Sequence, residues 1–365
     1  MIRKILLTAF VILAAAVLYF LFWPVPVAPV AWEAPVNPGY TGPFAKNGRL
    51  KGLQVFAIGE NHGPEDIALD TRNRIYAATH EGRIVRLAPD GSNPEDWVET
   101  GGRPLGIDFD AKGNLIVADA LRGLLSIAPD RTIRVLSSEA DGIPIRYADD
   151  VDVAADGKIY FSDASTKFGA GQWGGTYEAS LLDINEHGGH GRLLVYDPAE
   201  GKARTLLRGL NFANGVAVSP DQQFVLVNET GSYRVIRHWI SGPKQGQSEP
   251  VISALPSFPD NVSTGMEGRF WVALVSPRNP VIDDLSGRPF LRKVIQRLPA
   301  SLRPKAVPYG HVIAIDAEGK VLHDLQDPDG AYPINTSVTE TGQHLYIGSL
   351  VAPVLARLDK SKIGL

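Results

Sequence analysis

Three acids and one amide stand at equivalent points of a pattern that recurs along this chain: Glu65, Asp149, Asn214 and Asp260. Asn261 follows the last of them, and Leu105 and Thr336 hold the same point in the two remaining copies. Carboxylates packed together raise one another's pKa unless a cation neutralises them. An all-oxygen set without Cys or His suits a hard ion rather than zinc. Ca2+ is the expected cofactor, with Mg2+ or Mn2+ as alternatives, and Glu65, Asp149, Asn214, Asp260 and Asn261 are its expected ligands. The plainer reading is that polar residues at this point only hydrate a water-filled channel. One such residue alone would be read that way; four at equivalent points favour the metal.

The repeat itself places these residues. Its unit is two polar or small residues, an alternating strand, a Gly- or Asp-containing turn and a second strand. Copies begin at Glu65-Asp66-Ile67, Leu105-Gly106-Ile107, Asp149-Asp150-Val151, Asn214-Gly215-Val216, Asp260-Asn261-Val262 and, more weakly, Thr336-Ser337-Val338. The first apolar anchors lie 40, 44, 65, 46 and 76 residues apart. Three of these spacings match a propeller blade of ~40–50 residues, and the other two carry insertions. Short apolar alternation between Asp/Gly turns means half-buried antiparallel strands. Six such units predict an all-β, six-bladed β-propeller over residues 44–365. In that fold the innermost strand of each blade runs along the axis, so its first residue looks into the channel mouth. The strand Leu50 to Ile58 has no partner in the first copy and is expected to complete the last blade.

Composition narrows the chemistry. The chain has 365 residues, no cysteine, 36 Lys+Arg and 40 Asp+Glu, giving a formal net charge of −4. Without thiols it holds no disulfide scaffold, zinc ribbon or cysteine nucleophile. The near-balanced charge supplies no basic field for nucleic acid. Its 37 glycines and 27 prolines fit a fold rich in tight turns.

Residues 1–4 form a basic tip, and residues 5–23 are an uncharged run of bilayer length ending in Tyr19 and Trp23. Cleavage after Ala28 or Ala31 would put Pro26 or Pro29 at a position that wants a small residue, so the run reads as an uncleaved signal anchor. Arg3 and Lys4 would then stay in the cytoplasm, with the propeller on the periplasmic or extracellular side. A cleaved signal peptide would leave the compartment unchanged. Residues 24–43 hold six prolines and one charge, and read as an extended spacer.

The segments Gly63-Pro64-Glu65, Gly102-Arg103-Pro104-Leu105-Gly106, Phe161-Ser162-Asp163, Gly191-Arg192-Leu193-Leu194, Phe212-Ala213-Asn214-Gly215-Val216 and Phe258-Pro259-Asp260-Asn261-Val262 resemble the strictosidine-synthase-like family. Within it, the single N-terminal anchor is similar to the adipocyte plasma membrane-associated protein branch. The resemblance covers roughly residues 50 to 358, and the wider clan includes paraoxonases and gluconolactonases. It implies a calcium-dependent hydrolase of lactones or aryl and carboxylic esters, with Glu65, Asn214, Asp260 and Asn261 on the clan's metal positions. Asp149 departs from it, standing where relatives usually carry Asn, and adds a charge that could tighten the metal or supply a base. Strictosidine synthase carries a catalytic glutamate in its last blade, whereas Ile334-Asn335-Thr336-Ser337-Val338 contains no acid, which argues against the amine–aldehyde condensation. The paraoxonases' channel histidine falls on Leu105, so their water activation does not transfer either.

In the mechanism these readings suggest, the cation polarises the scissile carbonyl, and Asp149 or Asp260 takes a proton from water or attacks directly. His62, three residues before Glu65, is the best histidine for an orienting or basic role, beside the plain alternative of an idle surface loop. His311 and His80 read as structural, and Glu186-His187-Gly188-Gly189-His190-Gly191 as a mobile loop. No G-x-S-x-G elbow supports a serine triad. The insertion from Phe168 to Gly191 is expected to cover the channel mouth. The one from Ser276 to Tyr309 contains an amphipathic basic helix at 288–298, expected as a lid, as a membrane contact or as a plain packing helix. A lid on the membrane would imply a small lipophilic ester or lactone substrate. The alternative function is a non-catalytic, metal-stabilised propeller that binds a protein or glycan at the cell surface.

Overall fold

A computed structural model describes all residues, 1–365. Six four-stranded antiparallel sheets follow one another around a central channel. Blade 1 runs outward through Ile67–Leu69, Ile75–Ala78, Arg83–Leu87 and Glu95–Glu99. The innermost strands of the next five blades are Pro104–Phe109, Ala148–Val153, Ala213–Val218, Ser257–Thr264 and Asn335–Glu340. The ring closes as the orphan strand required. Gln54–Ala57 becomes the outermost strand of blade 6 and pairs antiparallel with Val354–Asp359, Gln54 opposite Arg357. Closure by the two chain ends leaves no blade with an unmatched partner and only short, protected edges.

The core lies between blades. Ile116, Ala118 and Leu124 of blade 2 bury against Val151, Ile159, Phe161 and Leu194 of blade 3. Phe224 and Tyr233 of blade 4 do the same against Phe258 and Phe270 of blade 5. Each such aliphatic or aromatic side chain contributes about 1.5–3 kcal/mol on burial. The result is a rigid frame for the channel.

One irregularity recurs where it matters. From blade 2 to blade 6 the innermost strand slips register against its neighbour, between Pro104 and Ile107, Ala148 and Val151, Ala213 and Val216, Pro259 and Val262, and Asn335 and Val338. A bulge frees two consecutive residues from the ladder and re-aims them. The freed pairs are the recurring dipeptides: Leu105-Gly106, Asp149-Asp150, Asn214-Gly215, Asp260-Asn261 and Thr336-Ser337. Blade 1 matches them with Glu65-Asp66, just ahead of its first strand. Glycine is required at two of these points. A Cβ on Gly215 would sit 2.2 Å from Val262 N, and one on Gly106 2.3 Å from Asp150 Oδ1.

Both insertions lie over the channel mouth. The first contributes helix α2, Thr176–Glu186, and the second the short helices α3, Pro280–Asp284, and α4, Pro289–Gln296. Helix α1, Ile2–Phe22, is apolar and long enough to cross a membrane, and none of its residues is buried.

Two expectations are refined here. The proline-rich segment, expected as an extended spacer, is strapped to the propeller by hydrogen bonds the sequence does not announce. Val30 N–H donates to Glu186 O, Trp32 N–H to Ser286 O, and Arg278 Nη2 to Pro35 O. The Gly-rich stretch at 186–191 is not a loose loop. His187 stacks on Trp32 with ring centroids 3.9 Å apart, and Glu186 takes Lys167 Nζ at 2.6 Å and His190 Nε2 at 2.7 Å.

Candidate active site

In blades 1 to 5 the first member of the recurring pair turns to the mouth of the channel. Glu65, Leu105, Asp149, Asn214 and Asp260 line one cavity of about 100 Å3, with Tyr147, Phe212 and Phe258 as its walls and Tyr177, Leu181 and Ile184 of α2 in its roof. All four polar members are buried, none more than 8 % exposed. Thr336 belongs to the tie between blades instead, since its hydroxyl and that of Ser337 both donate to Glu65 O, at 2.6 and 2.8 Å.

Burial dominates the electrostatics. It pushes Glu65 and Asp149 well above the usual carboxylate range, and repulsion from Asp260 and between the acids adds to it. Burial raises Asp260 to about 7, against an opposing hydrogen bond from Asn214. The Arg103 guanidinium pulls Glu65 and Asp149 back down, while its own burial lowers the Arg103 pKa. Three oxygens at this point have no hydrogen-bond partner: Glu65 Oε2, Asp149 Oδ2 and Asn214 Oδ1. A buried polar atom left unpaired costs about 1–3 kcal/mol, so three in one cavity call for a ligand with positive charge or protons to donate. Their chemistry fits a hard cation, with Glu65, Asp149, Asn214 and Asp260 able to hold it. Against this, no three His, Cys, Asp or Glu side chains are gathered into a metal-holding group. The acids therefore line a cavity in common rather than form a closed cage.

Two of the expected residues are elsewhere. Asn261, the second member of its pair, lines the cavity at the opposite end of the channel, buried with both amide atoms unpaired. His62 stands outside the mouth cavity, its side chain 46 % exposed, ion-paired with Glu81 and with its ring 4.6 Å from that of His80. A loop three residues upstream of Glu65 thus aims its side chain at solvent. His311 is structural as read, buried and held by Asp324 Oδ2 at 2.9 Å.

The structure also adds residues. Arg103 is buried, anchored through Nη1 to Thr79 O at 2.8 Å and Pro104 O at 2.9 Å, with Nε and Nη2 unpaired. Tyr147 fixes α2 to the mouth by donating to Thr176 O at 2.9 Å. A buried arginine among acids leaves only one trace in a sequence, here the Arg103 of Gly102-Arg103-Pro104.

Fold and cavity together define a class: six-bladed propellers with a buried acidic pocket at one channel mouth, roofed by helical insertions and tethered to an apolar N-terminal helix. The chain belongs to the strictosidine synthase-like family. The family description "Strictosidine synthase" matches residues 149–243, and "Strictosidine synthase-like, N-terminal" matches residues 42–87. The chain is 35% identical to Strictosidine synthase-like 4 of Arabidopsis thaliana, covering 89% of this chain and 87% of the relative. It is 34% identical to the adipocyte plasma membrane-associated protein of Rattus norvegicus, covering 93% and 94%. Among solved structures, a gluconolactonase of Xanthomonas campestris superposes with a TM-score of 0.62 at 18% identity, over 90% of this chain and 99% of that one. A calcium-binding protein, regucalcin, of Agrobacterium tumefaciens gives 0.59 at 13% identity, over 84% and 93%. At such identities the structures speak to the fold. The apolar helix and the membrane-associated relative fit membrane anchoring.

Proposed function

We propose that this protein is a membrane-anchored, calcium-dependent hydrolase of lactones or of aryl and carboxylic esters, acting at the channel mouth. One observation carries the reading: three residues with an unpaired buried oxygen, Glu65, Asp149 and Asn214, line one cavity whose other walls are largely apolar. That combination takes an apolar molecule with one polar reacting group. The names of its structural neighbours, a gluconolactonase and a calcium-binding regucalcin, agree with it.

A calcium ion held by Glu65, Asp149, Asn214 and Asp260 supplies, when bound, Lewis-acid polarisation of a carbonyl. The remaining work falls to the chain. Asp260, buried in the wall of this cavity, is the carboxylate that takes the proton from the attacking water. Arg103 keeps Glu65 and Asp149 ionised more readily than burial alone would allow. Leu105, Phe212 and Phe258 exclude bulk water and seat the apolar part of the substrate. The propeller lies on the periplasmic or extracellular side, with the N-terminus of α1 in the cytoplasm.

The test is hydrolysis of phenyl acetate and a set of γ- and δ-lactones by the full-length protein, with calcium and after chelation. Turnover that vanishes on chelation and returns with calcium supports the proposal. A calcium-dependent rise in melting temperature without turnover would replace it with the non-catalytic propeller, a surface-binding protein whose ion ties blades together.

A further inference from the structure

A second cavity, of about 550 Å3, lies outside the first and is several times larger than it. Tyr177, Leu181, Ile184, Ile282, Pro304 and Lys305 line both, so the two share a wall of α2 and the second insertion. Its volume is that of a site for a drug-sized ligand, ~300–1,000 Å3. Its far wall is unusual: Tyr19 and Trp23, the last aromatic residues of the membrane-length helix, face into it.

That helix end is bolted in place. Arg297 Nε donates to Trp23 O at 2.6 Å and Nη1 to Phe20 O at 2.9 Å, and Tyr19 Oη donates back to Arg297 O at 3.0 Å. The last carbonyls of a helix have no partner within it, and a cation there also meets the negative end of the helix dipole. Arg292, 1 % exposed, holds the following chain through Val30 O and fixes it to α2 through Asn185 O. Arg292 and Arg297 are therefore anchors for the linker and for the end of α1, while Phe290 and Leu291 of α4 are left exposed and Ile295 lines the cavity. Val281, in the cavity wall, is 45 % exposed, and Phe290 of α4 and Leu302, next to the lining residue Arg303, are 51 % and 66 % exposed. Amphipathic aromatics at a helix end sit at headgroup level, so this cavity and its apolar rim meet the bilayer surface.

We infer that the outer cavity is a vestibule for the alkyl chain of a bilayer-dissolved, single-chain ester or lactone, which enters between α1, α2 and α4 and presents its carbonyl to the inner cavity. The inference rests on the proposed hydrolase reading for the carbonyl, while the chain-binding step stands on the vestibule alone. The inner cavity takes the reacting head; the outer one takes the tail. Lys305, on the shared wall, is the one lysine at the junction and offers a donor to the head group as it passes.

Two readouts on the full-length protein in phosphatidylcholine vesicles separate the claims. The first is photolabelling by a sixteen-carbon fatty-acid methyl ester bearing a chain diazirine, mapped by mass spectrometry. Label is expected in residues 176–186 and 289–296 as well as in α1. Ile295→Trp, which fills the outer cavity without touching the inner one, should remove most label from 176–186 and leave α1 labelled. Should that variant fold poorly, Val281→Trp fills the same cavity from α3. Label confined to α1, or unchanged by either substitution, overturns the vestibule. The second readout is the ratio of long- to short-chain lactone turnover. In the filled variants it should fall about tenfold, as when roughly two methylenes lose an apolar wall, with short-chain turnover unchanged. Equal losses for both substrates also overturn the inference. If no lactone or ester is turned over at all, the hydrolase reading fails while the labelling still decides the vestibule.

Discussion

At the lower end of the channel, acids from the same inner segments of the blades have partners that the upper ones lack. Asp66 Oδ2 accepts from Ile107 N–H of the next blade at 2.9 Å, and Asp150 Oδ2 from Val216 N–H at 2.7 Å. Two residues further along, Asp108 accepts from Val153 N–H at 3.0 Å and Asp152 from Val218 N–H at 2.7 Å. Each acid hooks one blade to the next. Burial raises these acids as well, Asp66 and Asp108 to about 6 and Asp150 and Asp152 well above the usual range. A raised pKa therefore does not tell a site from a brace. What separates the two ends is where the oxygens go: into backbone N–H groups below, and into an open cavity above.

The largest effect should come from the upper acids. Asp149→Ala and Asp260→Ala are each expected to lower ester or lactone turnover by about 10²–10⁴, the range for loss of a positioned acid or base. The fold should survive, because neither side chain ties blades together, and circular dichroism with a thermal melt checks this. Preserved turnover in both variants breaks the comparison.

Calcium comes next, and its effect has a pH sign. Below about pH 2 the upper acids are protonated in both folded and unfolded chains, so burial carries no charge penalty. As pH rises toward 7 the unfolded acids ionise while Glu65, Asp149 and Asp260, all raised, hold their protons longer. The native state then binds more protons than the unfolded one, and the stability of the chelated protein falls across that window. A cation displaces those protons. Calcium at a hundredfold excess over its Kd should add about 2.7 kcal/mol, with a larger shift in melting temperature at pH 8 than at pH 5. An equal shift at both values would place the ion away from these acids.

The brace gives a smaller number of the opposite kind. Asp150→Ala strands Val216 N–H inside the channel wall and should cost about 1–3 kcal/mol. Urea unfolding at pH 5, where repulsion between Asp150 and Asp66 is weakest, measures it cleanly. Calcium binding by the variant should persist.

This division also shows how far the sequence could be read. Six dipeptides at recurring points disclosed the propeller, the strand that closes it and the positions whose side chains line the mouth cavity, because repetition makes an otherwise weak polar signal visible. Adjacency and the family resemblance put Asn261 beside Asp260, but consecutive residues on an extended chain point to opposite sides. Period-two reasoning puts it below, where it lies. Arg292 and Arg297 read as part of a basic helix face, yet their partners are carbonyls of residues 20–30 and 185, a pairing no local pattern contains. Proline content likewise showed that residues 24–43 are extended without showing what they lie on.

His62 supplies the finest test, since it sits beside the upper acids in sequence and away from them in space. It is tied to Glu81 at the rim, exposed, and shares no wall with the cavity. Surface substitutions of this kind usually stay within about 0.5 kcal/mol, so His62→Ala should leave the melting temperature, turnover and its pH profile unchanged. Loss of an alkaline or neutral limb from that profile would mean a base enters the mouth from the rim loop. The site would then be an assembly of loop and channel, and the contrast between the two ends would no longer rest on the bulged pairs alone. An unchanged profile confines the chemistry to side chains carried by the inner strands, where the rigidity of the blades, rather than the mobility of a loop, sets the geometry.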